Sequence, residues 1–237
     1  MFSTKYVYIY TLSLSAIAAI SLAFFVTALK PTHDANEAAS KKKDILSSIA
    51  GEFDKNPQIM TNEEVIGLFN DKVEQYVIDA NGNVVKDVKA EDINMADEEK
   101  KPKDQRRYPL YVFNGKSGKI YLTGVRGNGL WDKIWGTIAI KDDLNTIVGA
   151  SFGHQAETPG LGAEIKDNPN FPKSFIGKEL MKNGEYVSVK VLKGATDPKH
   201  HVDAISGATI TSVGVSNMMQ EGLSSYVTYF NNLKSKS

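Results

Sequence analysis

Ser206-Gly207-Ala208-Thr209-Ile210-Thr211-Ser212 is the stretch of this chain best suited to chemistry. It is small, hydroxyl-rich and followed at once by a helical pattern. Val215, Met218, Met219, Leu223, Tyr226, Val227 and Phe230 recur at three- and four-residue steps, the period of one helix face. Thr211 or Ser212 is expected to cap that helix by accepting from its first N–H groups. The positive end of the helix dipole and free N–H groups then face the loop, which suits a phosphate. Gly207 and Ala208 allow close backbone approach, and Thr209 supplies a hydroxyl there. By spacing alone the same residues also describe an ordinary N-cap cluster.

Two further segments carry turn chemistry. Gly127-Asn128-Gly129-Leu130-Trp131 places an indole beside glycines, where it can stack on a flat ligand or pack half-buried. His154 to Gly162 contains Glu157-Thr158-Pro159-Gly160-Leu161-Gly162, a turn able to expose backbone N–H groups. His154, His200 and His201 lack metal-ligand spacing, and no metal is assigned. Lys190 and Asp203 read as solvated side chains, with a charge beside a cofactor as the alternative role.

The elements that must position these residues are short strands. Leu110–Phe113, Lys119–Val125, Ile134–Ile140 and Thr146–Phe152 are β-favouring runs separated by turn signals. Tyr186 to Val191 alternates like one half-buried strand. Upstream, residues 34–50 predict a helix stopped by Gly51. Thr61 to Glu64 forms a capping box, opening a helix with Val65, Phe69 and Val73 on one face. Residues 77–85 predict a hairpin about Asn81-Gly82. Residues 87–107 are dense in charge and predict a solvated loop or an arm for a partner. The class is α+β, with the last helix covering one face of the sheet.

Val7 to Leu29 is an uncharged run of 23 residues. As a helix it is about 34 Å long, enough to cross a hydrocarbon core of about 30 Å. Tyr6, Tyr8 and Tyr10 sit at one end, as interface residues do. Val26-Thr27-Ala28 also offers a signal-peptide cleavage position, but the run exceeds an ordinary h-region. Lys30, Lys41, Lys42 and Lys43 outnumber Lys5, so a charge count alone places the large domain in the cytoplasm.

Composition excludes several classes. Lys+Arg and Asp+Glu both total 28, which gives no electrostatic footprint for nucleic acid. There are no cysteines, so disulfides, thiolate-held clusters and cysteine nucleophiles are excluded. No strand-Gly-x-Gly-x-x-Gly-helix unit is present, so the chain is not expected to oxidise NADH. The single span holds no ionisable residue and is not expected to conduct an ion by itself.

Asp203-Ala204-Ile205-Ser206-Gly207-Ala208-Thr209, Glu157 to Gly162 and Gly127 to Trp131 together resemble the FMN-binding domain family. That family includes the C-type subunit of sodium-translocating NADH:quinone oxidoreductases and the G-type subunit of the Rnf complex. Residues 96–140 resemble the former more than the shorter Rnf protein. The resemblance implies one N-terminal transmembrane helix followed by one extracytoplasmic FMN-binding domain. The corresponding parts are an anchor over 1–30, a helical and hairpin part over 31–107, and the FMN-binding part over 108–237. It implies FMN joined through a phosphoester to Thr209, with Thr211 as the chemical rival. Ser206, Gly207, Ala208, Thr211, Gly129, Trp131, Glu157, Thr158, Gly160 and Leu161 become the expected FMN contacts, and no residue is assigned a catalytic role. It implies a single-pass protein of the bacterial inner membrane, with its domain in the periplasm against the charge count. Implied partners are the other subunits of a membrane complex, above all the one carrying the next flavin. A flavin transferase would move FMN from FAD to the Thr209 hydroxyl and release AMP. The implied role is electron carriage from NADH towards quinone. The alternatives are the Rnf protein, with ferredoxin and NAD, and an anchored non-redox binding module.

Overall fold

The computed structural model describes residues 3–116 and 118–235, and the first two and last two residues of the chain lie outside them. The chain forms two compact units, Met1–Lys41 and Lys42–Ser237.

The helix α1 runs unbroken over Thr4–Ser47, with Pro31 inside it. The apolar run and the helix expected over 34–50 are therefore one helix rather than two. Proline removes one N–H at a point where the flanking turns still satisfy the helix, so it punctuates the sequence without ending the element. Its first part is long and apolar enough to cross a membrane.

In the second unit α2 (Asn62–Lys72) opens on the expected capping box. The Thr61 hydroxyl accepts from the Glu64 N–H at 3.2 Å, and the Glu64 carboxylate accepts from the Thr61 N–H at 2.7 Å. Val73 leaves the helix to begin β1 (Val73–Asp79), which pairs with β2 (Val84–Val85) as the predicted hairpin. The short helix α3 (Met95–Glu98) follows. Four long strands come next: β3 (Arg107–Gly115), β4 (Gly118–Asn128), β5 (Lys133–Lys141) and β6 (Ile147–His154). All pair antiparallel in one six-stranded sheet of order β2-β1-β3-β4-β5-β6.

Both faces of that sheet are buried. Leu110, Val112, Tyr121, Val125, Ile134 and Ile138 face one cluster, while Tyr111, Phe113, Ile120, Leu122 and Ala139 face the other. The first face is covered by the C-terminal helices and the second by Leu46, Ile49, Val65 and Phe69. Period-two alternation thus sorts apolar side chains between two cores, which is why these strands read as continuous apolar runs.

After the short helices α4 (Glu164–Asp167) and α5 (Asn170–Lys173), β7 (Met181–Lys182) pairs with β8 (Glu185–Tyr186). Then β9 (Lys190–Leu192) pairs in parallel with β10 (His201–Asp203). The single strand expected over 186–191 is broken at Ser188, whose φ of 59° turns the backbone out of the strand conformation. The last helical stretch is two helices, α6 (Thr209–Gly222) and α7 (Ser224–Lys234), meeting at Leu223. Their apolar stripe is buried as expected. The hydroxyl of Tyr226, wholly buried, faces Pro109 O at 2.8 Å and Gly124 O at 3.1 Å, fixing α7 on the sheet.

Residues 87–107 are mostly exposed, as expected, but the segment is not a plain loop: it carries α3, and a few of its groups turn inward. Ala90 is buried in the second core. Glu98 is 7% exposed and accepts from Lys101 Nζ at 2.8 Å and from the Arg107 N–H at 2.9 Å. Glu99 meets both Arg126 Nε and Lys133 Nζ at 3.1 Å. The Arg106 guanidinium donates to the carbonyls of Glu99 and Lys101. Composition reported the charges but not the partners that neutralise them.

Candidate functional site

The three motifs meet at one end of the sheet. The turn after β4 carries Gly129 and Trp131, the loop after β6 carries Glu157 to Gly162, and the entry to α6 carries Ser206 to Thr211. Glu157 joins them. Its carboxylate is 4% exposed. One oxygen accepts from the Trp131 backbone N–H at 3.0 Å. The other accepts from the Thr211 hydroxyl at 2.6 Å. The backbone N–H of Glu157 donates to His154 Nδ1 at 3.2 Å, and the Trp131 indole N–H donates to the Thr158 hydroxyl at 3.1 Å.

The entry to α6 differs from the expected cap. Neither Thr211 nor Ser212 caps the helix. Both lie inside its first turn and are buried, because the helix starts at Thr209. The Ser212 hydroxyl accepts from the Ile205 N–H at 3.2 Å, which ties down the loop instead. The N-cap position is Ala208, which offers no side-chain acceptor. The first N–H to bond back is that of Ser212, to Ala208 O at 2.9 Å, so the preceding N–H groups of the first turn have no carbonyl within the helix. Gly207 takes a φ of 77°, a conformation that favours glycine. Ser206, Gly207 and Thr209 are exposed, while Ala208 is buried.

The two threonines are thereby separated. Thr209 holds its hydroxyl in the open at the first position of a 14-residue helix. Thr211 is 1% exposed and committed to Glu157. An uncapped helix N-terminus, a left-handed glycine and an exposed hydroxyl together fit a phosphate group esterified at Thr209.

Apolar surface lies open around this point. Trp131 is 68% exposed although both its N–H groups are bonded, and Leu130, Leu161, Ile210 and Val213 are exposed too. Leu161 rests on Gly207, where a Cβ would approach its Cδ2 at 2.8 Å. Such half-tethered apolar surface is suited to the face of a planar ring. A separate cleft of about 650 Å³ opens beside Ser206 and is lined largely by polar residues, among them Glu164, Asn168, Lys178, Asp197 and Asp203.

The glycines have a use other than ligand approach. A Cβ at Gly129 would overlap the Glu157 carboxylate, and one at Gly162 would overlap both that carboxylate and the Thr211 hydroxyl. Gly127 faces Met218 of α6 in the same way. Gly162 and Gly214 were absent from the expected site. Gly214 lies inside α6, where a Cβ would overlap Asn128 O. Glycine inside a helix costs about 1 kcal/mol against alanine, so its presence was the available signal of close backbone approach. Lys190 is exposed on β9, and exposed Asp203 accepts from the Ala195 N–H at 3.0 Å. His200 is buried with Nδ1 2.8 Å from Glu179 O, so its ring is engaged within the fold.

A family model described as the FMN-binding domain matches residues 129–224, which contain all three motif cores. The C-type subunit of the Na(+)-translocating NADH-quinone reductase of Neisseria meningitidis serogroup A is 36% identical over 96% of this chain and 93% of its own length. Its counterpart in Pseudomonas aeruginosa is 32% identical over 92% and 90% of the two chains. Among solved structures, the same protein of Parabacteroides distasonis superposes with a TM-score of 0.75 at 35% identity, over 85% of this chain and 96% of that one.

Proposed function

The chain belongs to the family of the C-type subunits of Na(+)-translocating NADH-quinone reductases, and on that premise we propose that it carries electrons on an FMN fixed to Thr209. The observation that carries this reading is the pairing of an exposed Thr209 hydroxyl with an α6 N-terminus that no side chain caps. FMN supplies one- and two-electron redox chemistry when bound.

The residues divide the work of holding it. Thr209 provides the ester oxygen. Ser206, Gly207 and Ala208 shape the loop so that first-turn N–H groups and the helix dipole meet the phosphate charge. Trp131 and Leu161 offer apolar surface to the ring, and Thr158 holds the Trp131 indole in place. Gly160, with its φ of 73°, lets the loop turn beside them. A covalent ester retains the cofactor in an open compartment, where a freely exchanging flavin would be lost. The chain is the substrate of a flavin transferase, not an NADH oxidase, and passes electrons to a neighbouring membrane protein of the complex on the way to quinone. Residues 1–30 anchor it in the bacterial inner membrane with the domain outside. Residues 31–107 form its helical and hairpin part, and residues 108–237 hold the flavin.

Intact mass of the native full chain is the test. It should exceed the sequence mass by one FMN phosphoester, and peptide mapping should find the addition on Thr209. Reduction by dithionite should bleach the flavin, and NADH alone should not. In the assembled complex, Thr209→Ala should abolish quinone reduction while NADH still reduces the upstream centres. A flavin mapped to Thr211, or a native protein without one, would overturn the assignment.

A further inference from the structure

Glu157 is placed where a carboxylate is costly. Burying an ionised group costs several kcal/mol unless donors compensate it, and an apolar residue often serves folding equally well. Here two donors come from two different elements, the Trp131 N–H from the turn after β4 and the Thr211 hydroxyl from the first turn of α6. Gly129 and Gly162 lack the Cβ atoms that would displace the carboxylate. Trp131 is also tied to the neighbouring residue of that loop, because its indole N–H donates to Thr158. Trp131 is therefore held at both its N–H groups, the backbone one by Glu157 and the indole one by Thr158, while the same carboxylate holds the helix turn that begins at Thr209.

We infer that Glu157 is a positioning residue: its carboxylate couples the Trp131 turn to the first turn of α6 and so fixes the indole relative to the Thr209 hydroxyl. It acts through Trp131 and Thr211 rather than by contact with the flavin. Such a link removes freedom before a ligand is present, which is how preorganisation sharpens a site. The inference rests on the proposed place of the flavin at Thr209 only for its effect on the cofactor. The coupling itself belongs to the protein.

The test has two arms on the full chain in detergent, with circular dichroism confirming the fold of each variant. The first uses flavin-free Thr209→Ala protein and reads amide hydrogen exchange in the peptide containing Trp131. Thr211 does not bond Trp131, so Thr211→Val should speed exchange there only if Glu157 transmits the change. The expected acceleration is about tenfold or more for Glu157→Ala, the equivalent of losing one hydrogen bond. Thr211→Val should produce a smaller rise, and should add nothing when combined with Glu157→Ala. Glu157→Gln, which keeps an acceptor for the Trp131 N–H, should stay near wild type. Unchanged Trp131 exchange in Thr211→Val would overturn the coupling, even if Glu157→Ala fails to fold. So would Glu157→Gln behaving like Glu157→Ala. The second arm reads flavin emission with Thr209 intact. Thr211→Val and Glu157→Ala should keep the flavin content and raise emission severalfold as Trp131 loses its fixed place. Loss of the ester instead would overturn a purely positioning role. A wild-type chain without flavin defeats the attachment at Thr209 and leaves the exchange arm to decide the coupling.

Discussion

Residues 87–107 and residues 206–211 are both polar stretches, and the structure treats them oppositely. The first is mostly exposed but turns three of its charged groups toward internal partners. Glu98, Glu99 and Arg106 are spent on Lys101, Arg126, Lys133 and backbone groups, and Ala90 reaches the core. The second leaves its polar groups open. Gly207 and Thr209 are exposed, and Ala208 stands where a capping side chain would be. What separates structure from function here is whether each polar group already has a partner. Buried or paired groups belong to the fold, whereas an unpaired hydroxyl beside free N–H groups can receive a ligand.

The comparison holds even between two threonines two residues apart, and this is where the largest effect is expected. Thr209→Ala should remove covalent FMN entirely and leave stability within about 0.5 kcal/mol, since the side chain is exposed. Thr211→Val should keep the FMN and cost about 1–3 kcal/mol, because a buried oxygen of Glu157 loses its donor. Intact mass and urea unfolding read both quantities. Exchanged outcomes would mean that the open threonine is the structural one and would break the comparison.

The next two variants sharpen it. Gly214→Ala should destabilise by about 1–3 kcal/mol through its clash with Asn128 O, although alanine is the better helix former. A stabilised variant would show that α6 can shift away from the Trp131 turn. In the charged segment, Glu98→Ala should cost about 1–2 kcal/mol by removing a buried side chain that accepts from the Arg107 N–H and Lys101. Glu99→Ala, whose ion pairs are partly exposed, should cost less than about 1 kcal/mol and depend on salt. Equal losses would mean that burial does not rank these two carboxylates.

The legibility of the sequence follows the range of the interaction. The Thr61–Glu64 box, the Asn81-Gly82 hairpin and the four long strands were readable because each is decided by neighbours a few residues away. The apolar stripe from Val215 to Phe230 was readable for the same reason, though the break at Leu223 was not. The motif loops were found by type and resemblance, but their internal logic was not. Nothing near Thr211 in sequence says that its hydroxyl belongs to Glu157, 54 positions away. Nothing near Glu99 names Arg126 and Lys133 as its partners. Long-range pairing also explains why Thr211 reads as a cap and why the inward groups of Glu98, Glu99 and Arg106 are not legible in residues 87–107.

The smallest effect tests the charged segment through pH. Glu91 receives Lys42 Nζ at 2.8 Å, and its backbone N–H donates to the Gln75 side chain at 3.1 Å. The hydrogen bond from Lys42 holds the Glu91 carboxyl below its ordinary range, against burial, which raises it. A carboxyl lowered in the folded state stabilises that state above its unfolded value of about 4.3, and the contribution is lost as pH falls through the folded value. Glu91→Gln mimics the protonated form. Wild type should therefore be the more stable of the two at pH 6, and the gap should close as pH falls through the folded value below about 4.3. Raising the salt at pH 6 should narrow the gap as well, since both side chains are partly exposed. Paired urea titrations of wild type and Glu91→Gln read the difference. A gap that persists unchanged in acid would mean that the Lys42 pair does not hold this segment. The contrast between a stretch spent on internal partners and one left open would then rest on Glu98, Glu99 and Arg106 alone.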